Sequence, residues 1–136
     1  MTLEDLCENF TLLDNWDDRY RYLIELGGRL PLMSETLKND TTRVSGCASQ
    51  VFIAPLPPDR TGGMRFIADS DSQLVRGLIA ILMIAFSGKT PSEIMAFDIQ
   101  PFLIRMGLDE HISAGRKNGL ISMLARIRLL AESAYT

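Results

Sequence analysis

Thiol chemistry is the most distinctive chemistry that this sequence of 136 residues offers, and Cys47 is the residue that would carry it. Cys47 lies between Gly46 and Ala48, where a polar segment meets a run of residues that favour β-strands. The small neighbours leave its sulfur approachable by another molecule, and glycine permits unusual backbone angles. The local pattern is also compatible with a structural cysteine that packs at the end of a strand.

A reactive thiol at Cys47 requires a cation or a helix N-terminus that stabilises the thiolate, because a free cysteine has a pKa of about 8.5 and is mostly protonated at neutral pH. Arg43 and Arg116 are the candidate cations. Cys7 lies at the edge of the apolar face of the first predicted helix and is expected to be buried. A disulfide between the two cysteines is disfavoured in a reducing compartment.

Other side chains that carry chemistry have simpler structural explanations. His111 is a lone histidine and is expected to be a surface or capping residue. Asp69 and Asp71 could act as a pair of carboxylates or as metal ligands. Their position before a long helix favours capping and compensation of the helix dipole instead. The sequence Arg116-Lys117-Asn118-Gly119 is either a site for an anion or a partner, or the solvated first turn of a helix.

Composition and charge exclude several functional classes. The chain has 14 basic and 17 acidic residues, a net charge of −3 and no basic stripe, which argues against sequence-independent binding of nucleic acid. Two cysteines and one histidine are too few for a zinc finger or an all-cysteine iron–sulfur site. The N-terminus is acidic, and the most apolar stretch, residues 77–86, is shorter than the roughly 20 residues that span a bilayer. These features predict a cytoplasmic protein without a membrane segment.

Caps and apolar spacing predict two helices at the N-terminus. The first follows Thr2, and the second begins near Asp14 or Asn15, ends at Gly27-Gly28 and has four residues on one face: Trp16, Tyr20, Leu23 and Ile24. Residues 34–45 are polar and irregular, so they are expected to form mostly a surface loop or a frayed short helix.

Two strands are predicted in the middle of the chain. Segments 49–54 and 64–68 are rich in β-formers and are separated by a loop rich in proline and glycine, which indicates an antiparallel hairpin. A third short strand is expected at 43–45. Strands grouped between helical segments predict an α+β fold, in which an antiparallel sheet of about three strands is covered on one face by helices. No linker interrupts the chain, so residues 1–136 are predicted to form a single domain.

Four further helices are predicted in the C-terminal half. The long apolar helix that ends near Phe86 is capped by Ser70 or Asp71, and Thr90-Pro91-Ser92-Glu93 is a capping box that begins the next helix. Pro101 opens a short helix that Gly107 closes. Ser113 precedes the last helix, whose predicted buried stripe consists of Leu120, Leu124, Ile127 and Leu130.

The sequence around Cys47, Val44-Ser45-Gly46-Cys47-Ala48-Ser49-Gln50-Val51-Phe52, resembles the signature of the SufE/CsdE family, whose members accept sulfur from cysteine desulfurases. Matching motifs occur in the same order along nearly the whole chain: residues 16–20, 23–27, 29–31, 69–71, 74–78, 89–91 and 116–120. The chain differs from the family pattern at Phe52, Gly28 and Gly115, where tryptophan, glutamine and serine are common.

The resemblance implies a small α+β fold similar to the IscU-type scaffold, with Cys47 as the residue that receives sulfur as a persulfide. The implied donor is a pyridoxal-phosphate-dependent cysteine desulfurase of the SufS/CsdA type, and the cofactor belongs to that partner, so this chain needs none. A SufBCD-type cluster scaffold is an implied acceptor. Gly46, Asp69, Asp71, Arg116 and Asn118 match family positions and are expected to support the loop or dock the partner. The free protein is expected to be a monomer or a homodimer.

Two alternatives remain open at this point. One is a thiol redox protein, such as a peroxidase that uses Cys47 with Cys7 as the resolving thiol. The other is a module that stimulates the desulfurase without carrying sulfur. For the carrier, the small residues around Cys47 suggest a thiol that rests under a shallow apolar cover and moves outward when the desulfurase docks, because an exposed thiolate is prone to oxidation.

Overall fold

Residues 1–134 are described by the computed structural model of the chain. Within them, the helices and strands are, in order, α1 (Leu3–Thr11), α2 (Trp16–Gly28), β1 (Val51–Leu56), β2 (Arg65–Ser70), α3 (Gln73–Phe86), α4 (Pro91–Ala96), α5 (Gln100–Arg105), α6 (Leu108–His111) and α7 (Ala114–Ser133). A turn of 3-10 helix at Glu35–Leu37 lies in the segment predicted as a loop or frayed helix. An antiparallel strand pair between helical segments confirms the α+β class.

Short polar side chains start most helices at the predicted residues. Thr2 and Thr90 form capping boxes with Asp5 and Glu93, and the Ser113 side chain accepts a hydrogen bond at the start of α7. Each cap satisfies amide groups that have no partner inside the helix. The start of α7 is therefore determined by the local sequence at Ser113.

The start of α3 differs from the prediction. Ser72 caps this helix, so the assignment of Ser70 or Asp71 as its cap is wrong. The reason is that β2 continues through Ser70, which pairs with Val51 in the sheet. The two aspartates beside Ser70 are consequently free for tertiary contacts.

In the described part of the chain, the sheet has two strands rather than about three. Its register runs from the pair Val51 and Ser70 to the pair Leu56 and Arg65. The third strand predicted at 43–45 is reduced to a single bridge between Arg43 and Phe52. The chain leaves the sheet immediately afterwards, because Gly46 adopts a φ of 86° that turns it away.

Both faces of β1 are buried, whereas the sequence predicted helices on one face only. Alternate residues Val51 and Ile53 belong to the main core, and Phe52 and Ala54 pack with Met33 in a second, smaller cluster. This alternation is the period of two expected for a strand. The strand that follows Cys47 is therefore anchored on both sides.

Helix α3 is the centre of the main core, as the apolar stretch predicted. Its buried residues are Val75, Gly77, Leu78, Ile79, Ala80, Ile81, Leu82, Ala85 and Phe86. Helix α2 packs directly on it, and a Cβ atom on Gly27 would lie 2.7 Å from the backbone nitrogen of Gly77. No helix among residues 1–134 combines the length and the apolar character needed to cross a membrane.

The buried faces of α2 and α7 are rotated slightly from the predicted ones. In α2, Leu23 is buried with Leu26, whereas Ile24 is 39% exposed. In α7, the fully buried residues are Gly119, Leu120, Met123, Ile127 and Ala131. The predicted Leu124 and Leu130 only pack against the edge of the core. One side of α7 is thereby left to face the chain around Cys47.

Candidate functional site

The segment 41–50, called the Cys47 loop below, carries the candidate thiol. Its first part is tied to β1, because the Ile53 amide donates to the Thr42 carbonyl at 2.9 Å and the Val44 amide donates to the Val51 carbonyl at 2.8 Å. Thr42 is also buried, and its hydroxyl donates to the carbonyl of Leu37. These contacts fix where the loop leaves the sheet.

The other end of the loop is held by Asp71. The Gln50 amide donates to Asp71 Oδ1 at 3.0 Å, and the Asp71 amide lies 3.4 Å from the Gln50 carbonyl. Asp71 therefore anchors the loop to the end of β2, which is a supporting position and not the helix-capping role that the sequence pattern favoured. Between its two anchored ends, the loop exposes Ser45, Gly46 and Ala48 to solvent.

Gly46 is required at the turn of the loop by its backbone and its surroundings. Its φ of 86° is in the left-handed region that side chains disfavour, and a Cβ atom there would lie 2.7 Å from Ser122 Oγ on α7. The turn directs Cys47 back towards α7. The backbone at Gly46 therefore determines the direction in which the loop continues.

Cys47 is half-buried against the N-terminal half of α7. Its Sγ lies 3.7 Å from the carbonyl oxygen of Gly119, to which the thiol donates a weak hydrogen bond. The sulfur borders a cleft of ≈ 20 Å³ whose inner wall includes Val75, Leu78 and Met123. Such a volume accommodates about one water-sized group.

A second space lies on the outer side of the same thiol. An open groove of ≈ 290 Å³ is lined by residues 43–51, among them Cys47. The thiol is therefore placed between a small apolar cleft, which faces the core, and a larger groove, which faces solvent.

Burial raises the pKa of the Cys47 thiol, so the resting side chain is protonated at neutral pH. The two cations proposed from the sequence do not counteract this effect. The Arg43 guanidinium stacks over the Phe52 ring at 5.8 Å, and Arg116 lines the rim of the cleft with an exposed side chain. Movement of the loop towards solvent, or a positive group from another molecule, would lower the pKa of Cys47.

Asp69 belongs to an ion-pair cluster beside the loop rather than to the thiol site. Its carboxylate lies 2.9 Å from Lys38 Nζ and 3.1 Å from Arg76 Nε, the latter without hydrogen-bond alignment. Burial alone would raise the pKa of Asp69, but hydrogen bonds from Lys38 and the Ser70 amide and both positive charges outweigh it and lower the pKa. The cluster connects the segment before the loop to β2.

Asn118 and Arg116 are both exposed at the start of α7, and only Arg116 lines the cleft. The structure therefore places Gly46 and Arg116 beside Cys47, whereas Asp71 holds the far end of the loop and Asp69 belongs to the neighbouring ion-pair cluster. Two contributors on α7, Ser122 and Arg126, were missed, and Gly119 was named only as part of the Arg116–Gly119 cluster, without its contact to the thiol. Their i, i+3, i+7 spacing is a helical stripe, but the stripe is not apolar, so hydrophobic periodicity did not reveal it.

The remaining candidates lie elsewhere. Cys7 is 0% exposed, and its thiol faces the Phe102 carbonyl. His111 is exposed and stacks on Trp16 with ring centroids 4.1 Å apart, in agreement with the predicted surface role. Over the described residues, no three His, Cys, Asp or Glu side chains are grouped so that they would hold a metal ion.

Comparison with known proteins agrees with this architecture. A solution structure of a hypothetical protein from Thermus thermophilus superposes with a TM-score of 0.77, covering 99% of this chain and 98% of that one. The two sequences are 21% identical, so the similarity is one of fold.

Sequence relatives identify the family. The chain is 43% identical to an uncharacterized SufE-like protein of Rhizobium meliloti over 96% of its own length and 95% of the relative's. It is 44% identical to an uncharacterized SufE-like protein of Rhizobium etli, over 93% and 87% of the two lengths. The sequence model of the SufE family, described as an Fe-S metabolism associated domain, matches residues 4–131. The chain therefore belongs to the SufE family and has a role in iron–sulfur metabolism.

Proposed function

We propose that this protein is a sulfur carrier that takes a sulfur atom from the persulfide of a cysteine desulfurase onto Cys47 and passes it on for iron–sulfur cluster assembly. The observation that supports this most strongly is the half-buried thiol on an anchored loop with a cleft of ≈ 20 Å³ beside it. A cleft of that size accommodates about one additional atom on the sulfur.

The transfer is a thiol exchange that needs no external oxidant. The Cys47 thiolate attacks the terminal sulfur of the donor persulfide, a new S–S bond forms on Cys47, and the old S–S bond breaks. The electron pair of the broken bond leaves with the donor cysteine as a thiolate. Cys47 then carries S–SH after protonation. In the delivery step, the acceptor thiolate attacks the terminal sulfur and Cys47 leaves as a thiolate.

The raised pKa of Cys47 and its two bordering spaces suggest how the carrier avoids damage. In the inner position the thiol is protonated by burial and is therefore a poor nucleophile and a poor target for oxidants. When the desulfurase docks, the loop moves outward, and the sulfur enters the groove of ≈ 290 Å³ as a solvated thiolate. Reactivity is thereby coupled to the presence of the donor.

Partners and location follow from the same proposal. The donor is a cysteine desulfurase of the SufS/CsdA type, and its pyridoxal phosphate is the only cofactor that the transfer uses. A SufBCD-type scaffold is the proposed acceptor. The proposed location of the transfer is the cytoplasm, where a reducing environment keeps thiols free. The carrier works as a monomer or a homodimer.

The redox alternative is disfavoured by the position of Cys7. A peroxidase that resolves its sulfenic acid needs a second thiol within reach, but Cys7 is 0% exposed and donates to the Phe102 carbonyl inside the core. Its thiol would reach Cys47 only after α1 separates from the core. Peroxide turnover without a desulfurase is therefore not expected.

The activator alternative is separated from the carrier by Cys47→Ser. We expect this variant to lose the stimulation of desulfurase turnover, measured as alanine released from cysteine in the presence of a thiol. Cys7→Ala serves as the matched control and retains the stimulation. A Cys47→Ser protein that stimulates as strongly as the unmodified chain would assign the activator role and contradict the carrier proposal.

A further inference from the structure

Arg126 on α7 makes a contact with the Cys47 loop that neither the sequence motif nor the family relationship assigns. Its guanidinium donates from Nη2 to the Arg43 carbonyl at 2.7 Å and from Nη1 to the Thr41 carbonyl at 3.1 Å. Both bonds are charge-assisted, and the planar guanidinium holds the two acceptors in one geometry. The side chain is half-buried along the loop.

Among residues 1–134, no strand pairs with the two carbonyls on the side where Arg126 lies. On the opposite side of the same segment, Thr42 and Val44 are bonded to β1. Residues 41–44 are therefore bonded to β1 on one side and to the Arg126 guanidinium on the other. The guanidinium supplies the donors that a further strand would supply. Without Arg126, the two carbonyls would lose their bonds to α7, and the beginning of the loop would be retained by β1 and by the turn at Asn39.

Arg126 is also the last member of a stripe along α7. Gly119, Ser122 and Arg126 are spaced i, i+3 and i+7, so they share one helix face. Gly119 accepts from the Cys47 thiol, and the Ser122 side chain lies beneath Gly46. The loop thus lies along α7 from the thiol back to its first residues, with Arg126 as the charged contact.

We propose that Arg126 is a positioning residue that keeps Cys47 in its inner, sheltered position by clamping the two carbonyls at the beginning of the loop. The clamp itself does not depend on the proposed function. Only the reason for releasing it, which is delivery of the thiol to the desulfurase, rests on that function. Loss of the two donors frees the loop to leave α7 more often while the helix and the sheet remain folded.

The test measures alkylation of the free protein by iodoacetamide at neutral pH, with the labelled cysteines quantified by peptide mass spectrometry. Arg126→Met keeps the unbranched stem of the side chain and removes its donors. We expect Cys47 in this variant to react about tenfold faster than in the unmodified chain, because charge-assisted bonds contribute net stability of this order. Cys7 supplies an internal reference, since it is 0% exposed and reacts only when the core opens.

Two further variants separate positioning from general stability. Arg128→Met is the matched control, because Arg128 is exposed on the same helix, and its Cys47 rate is expected to equal that of the unmodified chain. Arg126→Lys retains one cationic donor group and is expected to give an intermediate rate. If Arg126→Met does not fold, the comparison of Arg126→Lys with Arg128→Lys still tests the clamp.

An unchanged Cys47 rate in Arg126→Met would overturn the proposal, as would an equal increase at Cys7, which would indicate opening of the whole core. Neither result depends on a desulfurase. The proposed function is tested separately by persulfide formation on Cys47, so a chain that forms the persulfide but shows no effect of Arg126→Met would retain the carrier role and lose only the clamp.

Discussion

The two cysteines of this chain have the same local chemistry and opposite accessibility. Each thiol lies 3.7 Å from a backbone carbonyl, and burial raises the pKa of each. Cys7 is on α1 with every side covered by the core, whereas Cys47 is on a loop between a small cleft and an open groove. The comparison teaches that the backbone which carries a thiol, and not its resting pKa, decides whether another molecule reaches it.

The largest effect that follows from this comparison is a difference in alkylation rate. In the native protein we expect Cys47 to react at least about 100-fold faster than Cys7, because loop motion is frequent and core opening is rare. Peptide mass spectrometry after a time course with iodoacetamide measures both rates in one sample. In denaturant the two rates are expected to converge. Equal rates in the native protein would remove the distinction between the two thiols.

The turn at Gly46 tests whether the loop, rather than strain in general, governs Cys47. Alanine at this φ of 86° is expected to cost about 1–2 kcal/mol and to displace the loop from Ser122. Gly62→Ala is the matched control, since its φ is 83° and a Cβ atom there meets nothing within 4 Å.

Both glycine variants are expected to lose similar stability in thermal unfolding, but only Gly46→Ala is expected to accelerate alkylation of Cys47, by about tenfold. Acceleration in Gly62→Ala of the same size would show that general destabilisation, and not the turn beside α7, exposes the thiol.

A smaller effect is expected from the ion pairs of Asp69 with Lys38 and Arg76, which lie beside the Cys47 loop. Asp69→Asn leaves Lys38 and Arg76 without their carboxylate, and we expect a loss of about 1–2 kcal/mol in the free energy of unfolding. The pKa of Asp69 is lowered in the folded protein. Its contribution is therefore fully present above the unfolded pKa of about 3.9 and is lost as pH falls through the lower, folded value.

Urea unfolding at neutral pH and at successively lower pH measures this dependence. The control is Asp40→Asn, which changes an exposed aspartate and is expected to have no effect. A stability difference between the Asp69→Asn and unmodified proteins that grows as pH falls would contradict the assigned direction of the pKa shift.

The smallest effect is expected at Gly119, whose small size leaves the inner cleft open. A Cβ atom at Gly119 would lie 3.5 Å from Cys47 Sγ, which is ordinary contact, and alanine favours a helix over glycine by up to about 1 kcal/mol. Gly119→Ala is therefore expected to be slightly more stable and to slow Cys47 alkylation by about twofold. Gly28→Ala in α2, where a Cβ atom meets nothing within 4 Å, is expected to change only stability. Faster alkylation in Gly119→Ala would show that the cleft is not a shelter.

Local signals in the sequence were sufficient for most of the fold. Caps such as Thr90 with Glu93, the apolar run of α3 and the β-forming residues on either side of a proline- and glycine-rich loop act over a few residues. The missing third strand was not predictable in this way, because its length depends on where Gly46 turns the chain. The cap of α3 was misplaced for a similar reason, since the end of β2 is set by its pairing with β1.

The candidate thiol was identifiable from its neighbours and its motif, but the environment of the thiol was not. The residues that shelter Cys47 come from α3 and α7, far away along the chain, as the separation of 72 residues between Cys47 and Gly119 shows. Arg126 acts through backbone carbonyls, which leave no trace in the sequence of the loop. Arg43 was considered as a cation that could stabilise the thiolate. Its guanidinium stacks on the Phe52 ring instead, a tertiary contact that the local sequence does not indicate.

The most direct test of the carrier role is the mass of the protein after incubation with a cysteine desulfurase and cysteine, without reductant, followed by peptide mapping. We expect the addition of one sulfur atom, located on Cys47, absent from Cys7 and removed by a thiol. The Cys47→Ser variant is expected to show no addition. An unchanged mass in the presence of an active desulfurase, or sulfur located on Cys7, would contradict the assignment of Cys47 as the sulfur carrier.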